Sequence, residues 1–268
     1  MADMLEMVGT VDVGIKRKHN EDAIALVPGE GLAILADGMG GHNAGEVASG
    51  MAVETVHNFL RGVANRIDDK SVPNSQRRPE SSLLQQAVME ANRKIHQHAL
   101  RHPECSGMGT TIITALFHRD RLTSAHVGDS RMYRLRDEYL TPVTEDHSLV
   151  QEQMRRGLVT PIDAQTSRVR NIVTRALGVE ASVEPEVIEN QTRPGDIYLM
   201  CSDGLTDVVP DEAIRLVLLE QQRDLKRAMQ TLVDLANDAG GPDNISIILI
   251  RVRGPFTPKR GLLSRLGF

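Results

Sequence analysis

Five short segments of this chain each join an acidic residue to an apolar run. Residues 32–36 run into Asp37-Gly38-Met39-Gly40-Gly41-His42. Residues 125–127 run into Gly128-Asp129-Ser130-Arg131. Residues 197–201 run into Ser202-Asp203-Gly204-Leu205-Thr206-Asp207. Gly240-Gly241-Pro242-Asp243-Asn244 opens another apolar run, and Arg17-Lys18-His19-Asn20-Glu21-Asp22 precedes a fifth. A strand end fixes a carboxylate at the rim of a rigid sheet, and an adjoining glycine lets the backbone turn. Several such ends would converge their oxygens on one point. Like charges so gathered raise one another's pKa and call for cations. Carboxylate, carbonyl and water oxygens suit Mg²⁺ or Mn²⁺ rather than zinc or copper. Two such ions can activate a water and clamp an in-line phosphoryl displacement. Any one Asp-Gly pair is an ordinary turn. Five together suggest a shared metal site.

The elements that would position these residues follow from periodicity. Strands are expected at 7–14, 23–27 and 32–36, with turn residues between the last two. Apolar positions Ala44, Val47, Ala48, Met51, Ala52, Val56, Phe59 and Leu60 predict a helix over 44–67. Asn43 is its expected N-cap, with Glu46 completing a capping box. The polar stretch 68–80, with Pro73 and Pro79, reads as a loop, and a second helix is expected over 81–101. Residues 110–117, 121–127, 131–135 and 139–142 look like a β-meander. A helix at 148–156 and an irregular flap at 157–170 follow. Strands are expected at 183–189, 197–201 and 245–252, and helices at 211–220 and 224–237. Blocks of strands and helices, rather than strict alternation, argue for an α+β fold with helices packed outside sheets.

Composition excludes several classes. The 268 residues are 40% hydrophobic and 25% charged, with a net charge of −5. That is an ordinary globular composition, long enough to bury a core without disulfides or a structural metal. Aromatics make up 3% and Trp is absent, which argues against a stacking platform for nucleic acid. Cys105 and Cys201 form no metal-type pair and no disulfide framework. No signal peptide or membrane-spanning run is visible, so a cytoplasmic protein is expected. The C-terminal stretch gathers Arg251, Arg253, Lys259, Arg260 and Arg265 with no acid, leaving the rest of the chain more acidic than the whole.

At the level of motifs, the chain resembles the metal-dependent PPM/PP2C protein phosphatases, in their compact bacterial type. The matching segments are Arg17-x-x-Asn20-Glu21-Asp22, Asp37-Gly38-Met39-Gly40-Gly41-His42, Gly107-Met108-Gly109-Thr110-Thr111, Val127-Gly128-Asp129-Ser130-Arg131, Glu145-Asp146-His147-Ser148, Thr174-Arg175-Ala176-Leu177-Gly178, Ser202-Asp203-Gly204-Leu205 and Asp243-Asn244. No one of them is decisive, but the ordered set is specific, and it covers about residues 7–253. The resemblance implies an αββα sandwich: two antiparallel sheets packed face to face and flanked by helices. It implies a catalytic domain over 1–253, with the flap at about 157–170, and a short basic tail over 254–268.

The resemblance also implies roles. Asp37 would bridge two Mn²⁺ or Mg²⁺ ions, the Gly38 carbonyl would ligate one, and Asp203 and Asp243 would complete the other. Asp22 and Glu21 would bind directly or hold the metals' waters. Asp129, with Asp203, would serve a third, weaker ion. Arg17 would hold the substrate phosphate through a guanidinium's paired donors. In animal members a His follows the Asp-Gly pair as the proposed general acid. Here that position is Met39, and His42 is expected beside the metal waters or facing substrate. Asn244 belongs to the same surroundings. The implied activity is hydrolysis of phosphoserine and phosphothreonine in proteins by a metal-activated water. The implied partners are those phosphoproteins and a cognate Ser/Thr kinase, with no nucleic acid and no membrane span, and the expected state is a monomer. A catalytically silent phosphoprotein-binding module and a small-molecule phosphohydrolase are the alternatives.

Other features read as structure. His118-Arg119-Asp120 lacks the asparagine that a kinase loop requires and reads as a hairpin turn. Neither cysteine is followed by the arginine of a thiol phosphatase, and Cys201 reads as core. His96, His98 and His102 read as a solvated helix end. Met51, Met89 and Met229 are expected in the core.

Overall fold

The computed structural model describes residues 4–40, 44–61, 78–160, 163–164, 169 and 172–254. Eleven strands occur among them. In chain order they are Leu5–Asp12 (β1), Asp22–Val27 (β2), Leu32–Met39 (β3), Gly109–Thr110 (β4), Ile112–His118 (β5), Arg121–Val127 (β6), Arg131–Arg136 (β7), Tyr139–Pro142 (β8), Glu186–Gln191 (β9), Ile197–Cys201 (β10) and Ile245–Val252 (β11). Helices are Ala44–Leu60 (α1), Pro79–Arg101 (α2), Leu149–Arg155 (α3), Asp203–Thr206 (α4), Asp211–Glu220 (α5) and Leu225–Asp238 (α6). One sheet runs β1-β11-β10-β7-β8, and the other β2-β3-β5-β6-β9 with β4 on β3. Every pairing is antiparallel.

Period-two alternation explains why the sheets stack. In β3, Ala33 and Leu35 face the opposite sheet, while Leu32, Ile34 and Ala36 face helices. In β11, Ile248, Ile250 and Val252 turn inward and Ile245, Ile247 and Leu249 turn outward. Both faces of these strands are covered, which is why they read as continuous apolar runs. One outer layer is α1 and α2, where Ala44, Ala48, Ala52, Val56 and Leu60 make a buried stripe. The other is α5 and α6, the latter presenting Leu225, Ala228, Leu232 and Ala236. The result is the expected αββα sandwich.

The differences are local. α2 begins at Pro79, two residues early, because proline is preorganised for the first helical turn. Residues 62–77 lie outside the described residues, so the rest of the first expected helix and most of the loop after it are not placed. Met89 is 46% exposed rather than core, while Met51 and Met229 pack partly buried against it. The expected meander is broken in the middle. β5 pairs with β6 and β7 with β8, but β6 and β7 lie in different sheets. The chain crosses between layers at Gly128-Asp129-Ser130, with Gly128 at φ +110°. Asp129 therefore sits on a crossover, not in a hairpin.

Candidate active site

The carboxylates gather along one rim of the sandwich, where ends of both sheets meet. Asp22 opens β2 and stands opposite Asp37 in β3. Asp37 is held by its backbone. Its carbonyl accepts from the Thr110 hydroxyl and from the Thr111 N–H, each at 2.8 Å, and its N–H donates to Thr111 Oγ at 3.1 Å. The Gly-Thr-Thr segment is thus the anchor of Asp37, a role its sequence alone did not disclose. Asp203 opens the one-turn helix α4 directly after β10. Asp243 lies in the loop before β11, and its carboxylate accepts from the next N–H, that of Asn244, at 2.8 Å.

Asn244 fastens the N-terminal loop to this rim. Its Oδ1 accepts from the Glu21 N–H at 2.9 Å, and its Nδ2 donates to the carbonyls of Val13 at 2.9 Å and His19 at 3.0 Å. Glu21 leans on the start of α1, where a Cβ on Gly45 would lie 2.9 Å from its carboxylate carbon. Asn43, the expected cap, lies outside the described residues, as do Gly41 and His42. Two glycines permit the close approaches. A Cβ on Gly38 would lie 2.2 Å from the Gly45 carbonyl oxygen, and one on Gly204 would lie 2.0 Å from that of Asn244. The Gly38 N–H also donates to the Glu21 carbonyl at 3.1 Å. The Arg17 guanidinium reaches the site and bonds Asp243 Oδ2 at 2.7 Å, remaining about half exposed.

The electrostatics are those of crowded acids. Burial, and then the charges of Asp22, Asp203, Asp129 and Asp243, push Asp37 well above the usual carboxylate range. Burial, with Asp129 and Asp243 adding to it, raises Asp203 to about 8. Asp22 rises to about 6 through burial, against the opposing effect of the nearby Ser246 and Ser202 hydroxyls. Asp129 also rises to about 6, through burial and then Asp146. Glu21 is raised by burial, with Arg17 opposing. The protein supplies little compensation: Asp22 Oδ2 is buried with no hydrogen-bond partner. A hard, oxygen-only donor set with surplus negative charge and an orphaned carboxylate oxygen fits Mg²⁺ or Mn²⁺.

Clefts flank the rim. One of about 560 Å³ is bordered by Asp129, Arg131, Asp146, Asp203 and Asp207. Arg131 is fixed there by Asp146, to which it donates at 2.7 and 2.9 Å. Another, of about 630 Å³, lies beside Met39 and is walled by Thr174, Arg175, Val179 and Glu184. Of the expected flap, residues 157–160, 163–164 and 169 are described and the remainder are not. The features that read as structure in the sequence take ordinary positions. Arg119 sits at φ +53° in the β5–β6 turn, Cys201 is buried, and His98 stacks on His102 at the end of α2.

Comparison with known proteins agrees with this geometry. A family model described as Protein phosphatase 2C matches residues 15–249. The serine/threonine phosphatase stp of Listeria innocua is 36% identical over 242 residues, covering 89% of this chain and 92% of its own. The serine/threonine protein phosphatase PstP of Mycobacterium tuberculosis is 38% identical over 252 residues, 93% of this chain and 45% of PstP. A crystal structure of that phosphatase has a TM-score of 0.81 at 37% identity, covering 93% of this chain and 99% of its own. Its catalytic domain in complex with two manganese ions gives a TM-score of 0.79 at 36% identity, covering 93% and 99%.

Proposed function

The chain belongs to the protein phosphatase 2C family of metal-dependent serine/threonine protein phosphatases, and from that premise we propose how its own residues divide the work. Asp37, with the Gly38 carbonyl, Asp22, Asp203 and Asp243, holds two Mn²⁺ or Mg²⁺ ions. Asp129 and Asp203 hold a third, weaker one. The observation carrying this reading is the rim itself: Asp22, Asp37, Asp129 and Asp203 are all raised in pKa by burial, and one buried carboxylate oxygen has no partner. Bound there, the ions supply a nucleophile at neutral pH and charge neutralisation for an in-line displacement.

The remaining work falls to the chain. Arg17 is the phosphate clamp, and its partner Asp243 must share the guanidinium when a dianionic phosphate arrives. Water attacks phosphorus, the bond from phosphorus to the Ser or Thr oxygen breaks, and inorganic phosphate leaves without a phosphoenzyme. Met39 has no proton to give, so the departing alkoxide takes its proton from water in the cleft. Glu21 and Asn244 keep Arg17 and Asp22 in register by fastening the loop between β1 and β2. His42 lies outside the described residues and receives no role.

Substrates are phosphoproteins, and a Ser/Thr kinase that makes them is the proposed counterpart. We place the enzyme in the cytoplasm as a monomer, with a catalytic domain over residues 1–253 and a basic tail after it. Among the described residues no helix is long and apolar enough to cross a membrane. Intact metal carboxylates argue against a silent binding module, and the scarcity of aromatics for stacking a base argues against a nucleotide hydrolase. Comparing hydrolysis of a phosphothreonine peptide with that of a nucleotide tests this. The peptide should be the better substrate, with Asp37→Asn inactive on both. Preference for the nucleotide, or a fully active Asp37→Asn, contradicts the reading.

A further inference from the structure

His126, His147 and Glu186 cluster under the β6–β7 crossover, in a set of residue types that could hold a metal ion. Their hydrogen bonds argue against it. His126 Nε2 lies 2.9 Å from the Glu145 carbonyl oxygen. A carbonyl only accepts, so that nitrogen carries the proton. The Gly128 N–H donates to His147 Nδ1 at 3.1 Å. That nitrogen therefore holds a lone pair, and neutral His147 carries its proton on Nε2, which faces Glu186 Oε2 at 3.5 Å. Both nitrogens nearest Glu186 thus present hydrogens, not lone pairs. The rings also stack nearly parallel, 15° apart with centroids at 4.6 Å, so their in-plane nitrogens do not converge on one point.

What the cluster does is grip the crossover. The His147 N–H donates to the Gly128 carbonyl at 2.9 Å while its ring accepts from the Gly128 N–H. On the other side, a Cβ on Gly128 would meet Thr111 at 2.6 Å. The Thr111 hydroxyl bonds Ser130 Oγ at 2.7 Å. The peptide carrying Asp129 is therefore held between Thr111, which also anchors Asp37, and His147. Burial, then His126, Arg175 and Arg155, push His147 down to about 3, so its acceptor nitrogen persists at neutral pH.

We propose that His147 is a positioning residue for Asp129, fixing that carboxylate for a divalent cation through paired bonds to Gly128. This rests on the reading of Asp129 as a ligand of the third, weaker ion. The test is Mn²⁺ binding to the full chain by titration calorimetry, with folding checked by circular dichroism. Asp129→Ala should remove a weak class of Mn²⁺ and leave the tighter class. His147→Phe keeps the ring and removes the acceptor. It should weaken that same weak class about tenfold, as loss of an outer support to a metal ligand typically does. His147→Asn places Oδ1 where Nδ1 stood and should return binding to within about threefold of native. If His147→Phe does not fold, His147→Gln, whose polar atoms sit one bond further out, takes its place with the same expectation. Native Mn²⁺ binding in the folded acceptor-less variant overturns the proposal, as does an Asn variant no better than it. If Asp129→Ala itself leaves every class intact, the ligand assignment of Asp129 fails and takes the proposal with it. The tight-site reading of Asp37, Asp203 and Asp243 would then still stand.

Discussion

Asp203 and Asp37 hold protons that an exposed aspartate would have lost, and this sets the pH behaviour of the cation-free protein. Their folded pKa values lie above the unfolded value of about 3.9. The folded state therefore binds more protons, and the stability they contribute is present below about pH 4 and lost as pH rises, in the case of Asp203 through about 8. Cations compete for the same oxygens. The melting temperature in chelator should thus fall between pH 5 and 8.5, while the gain on adding Mn²⁺ should grow over that range. Calorimetric scans with and without Mn²⁺ check this, and a gain independent of pH contradicts it. Arg17→Ala should raise KM for a phosphopeptide roughly tenfold or more, with a smaller effect on kcat, because it removes a charge-assisted contact to a bound phosphate. The rim aspartates were legible in the sequence because each stands where an apolar run meets a turn, whereas Arg17 stood out only through its place in the family motif. Thr110 and Thr111 appeared there only within a family segment and without a role, because what they do is hold the backbone of Asp37, 73 and 74 residues away.

At the scale of elements, the loop from β1 to β2 and the start of β11 act as one clasp through Asn244. Asn244→Ala removes three hydrogen bonds and leaves the Glu21 N–H and two carbonyls without a partner. It should cost on the order of 2–4 kcal/mol of stability, measured by denaturant unfolding, and lower phosphatase activity by loosening Arg17. Gly204→Ala would press a methyl onto the Asn244 carbonyl oxygen. It should cost about 1–3 kcal/mol while displacing Asp203, and native stability with native activity would contradict that packing argument. Helices and strands followed from periodicity because most of them bury a face or both faces. The pairing of β6 with β9 rather than β7 did not, since periodicity does not say which sheet a strand joins. The four-residue helix α4 is too short to show any period.

At the scale of the molecule, the sandwich serves as a stiff frame with its chemistry at one edge. The inter-sheet layer of Leu35, Ile113, Phe117, Tyr198, Met200 and Ile248 is fully buried. Ile248→Ala should cost about 2–5 kcal/mol, read as a lower denaturation midpoint, with turnover retained below the shifted transition. Loss of turnover in the still-folded variant would show that core packing and site geometry are more tightly coupled than a frame implies. The proposed cation site is a rim of carboxylates drawn from both sheets. The direct measurement is hydrolysis of a phosphothreonine peptide by the purified protein in Mn²⁺, in Mg²⁺ and in EDTA, beside Asp243→Asn. Turnover that requires the cation and is lost in the variant is the predicted result. Turnover surviving EDTA, or undiminished in folded Asp243→Asn, would contradict it.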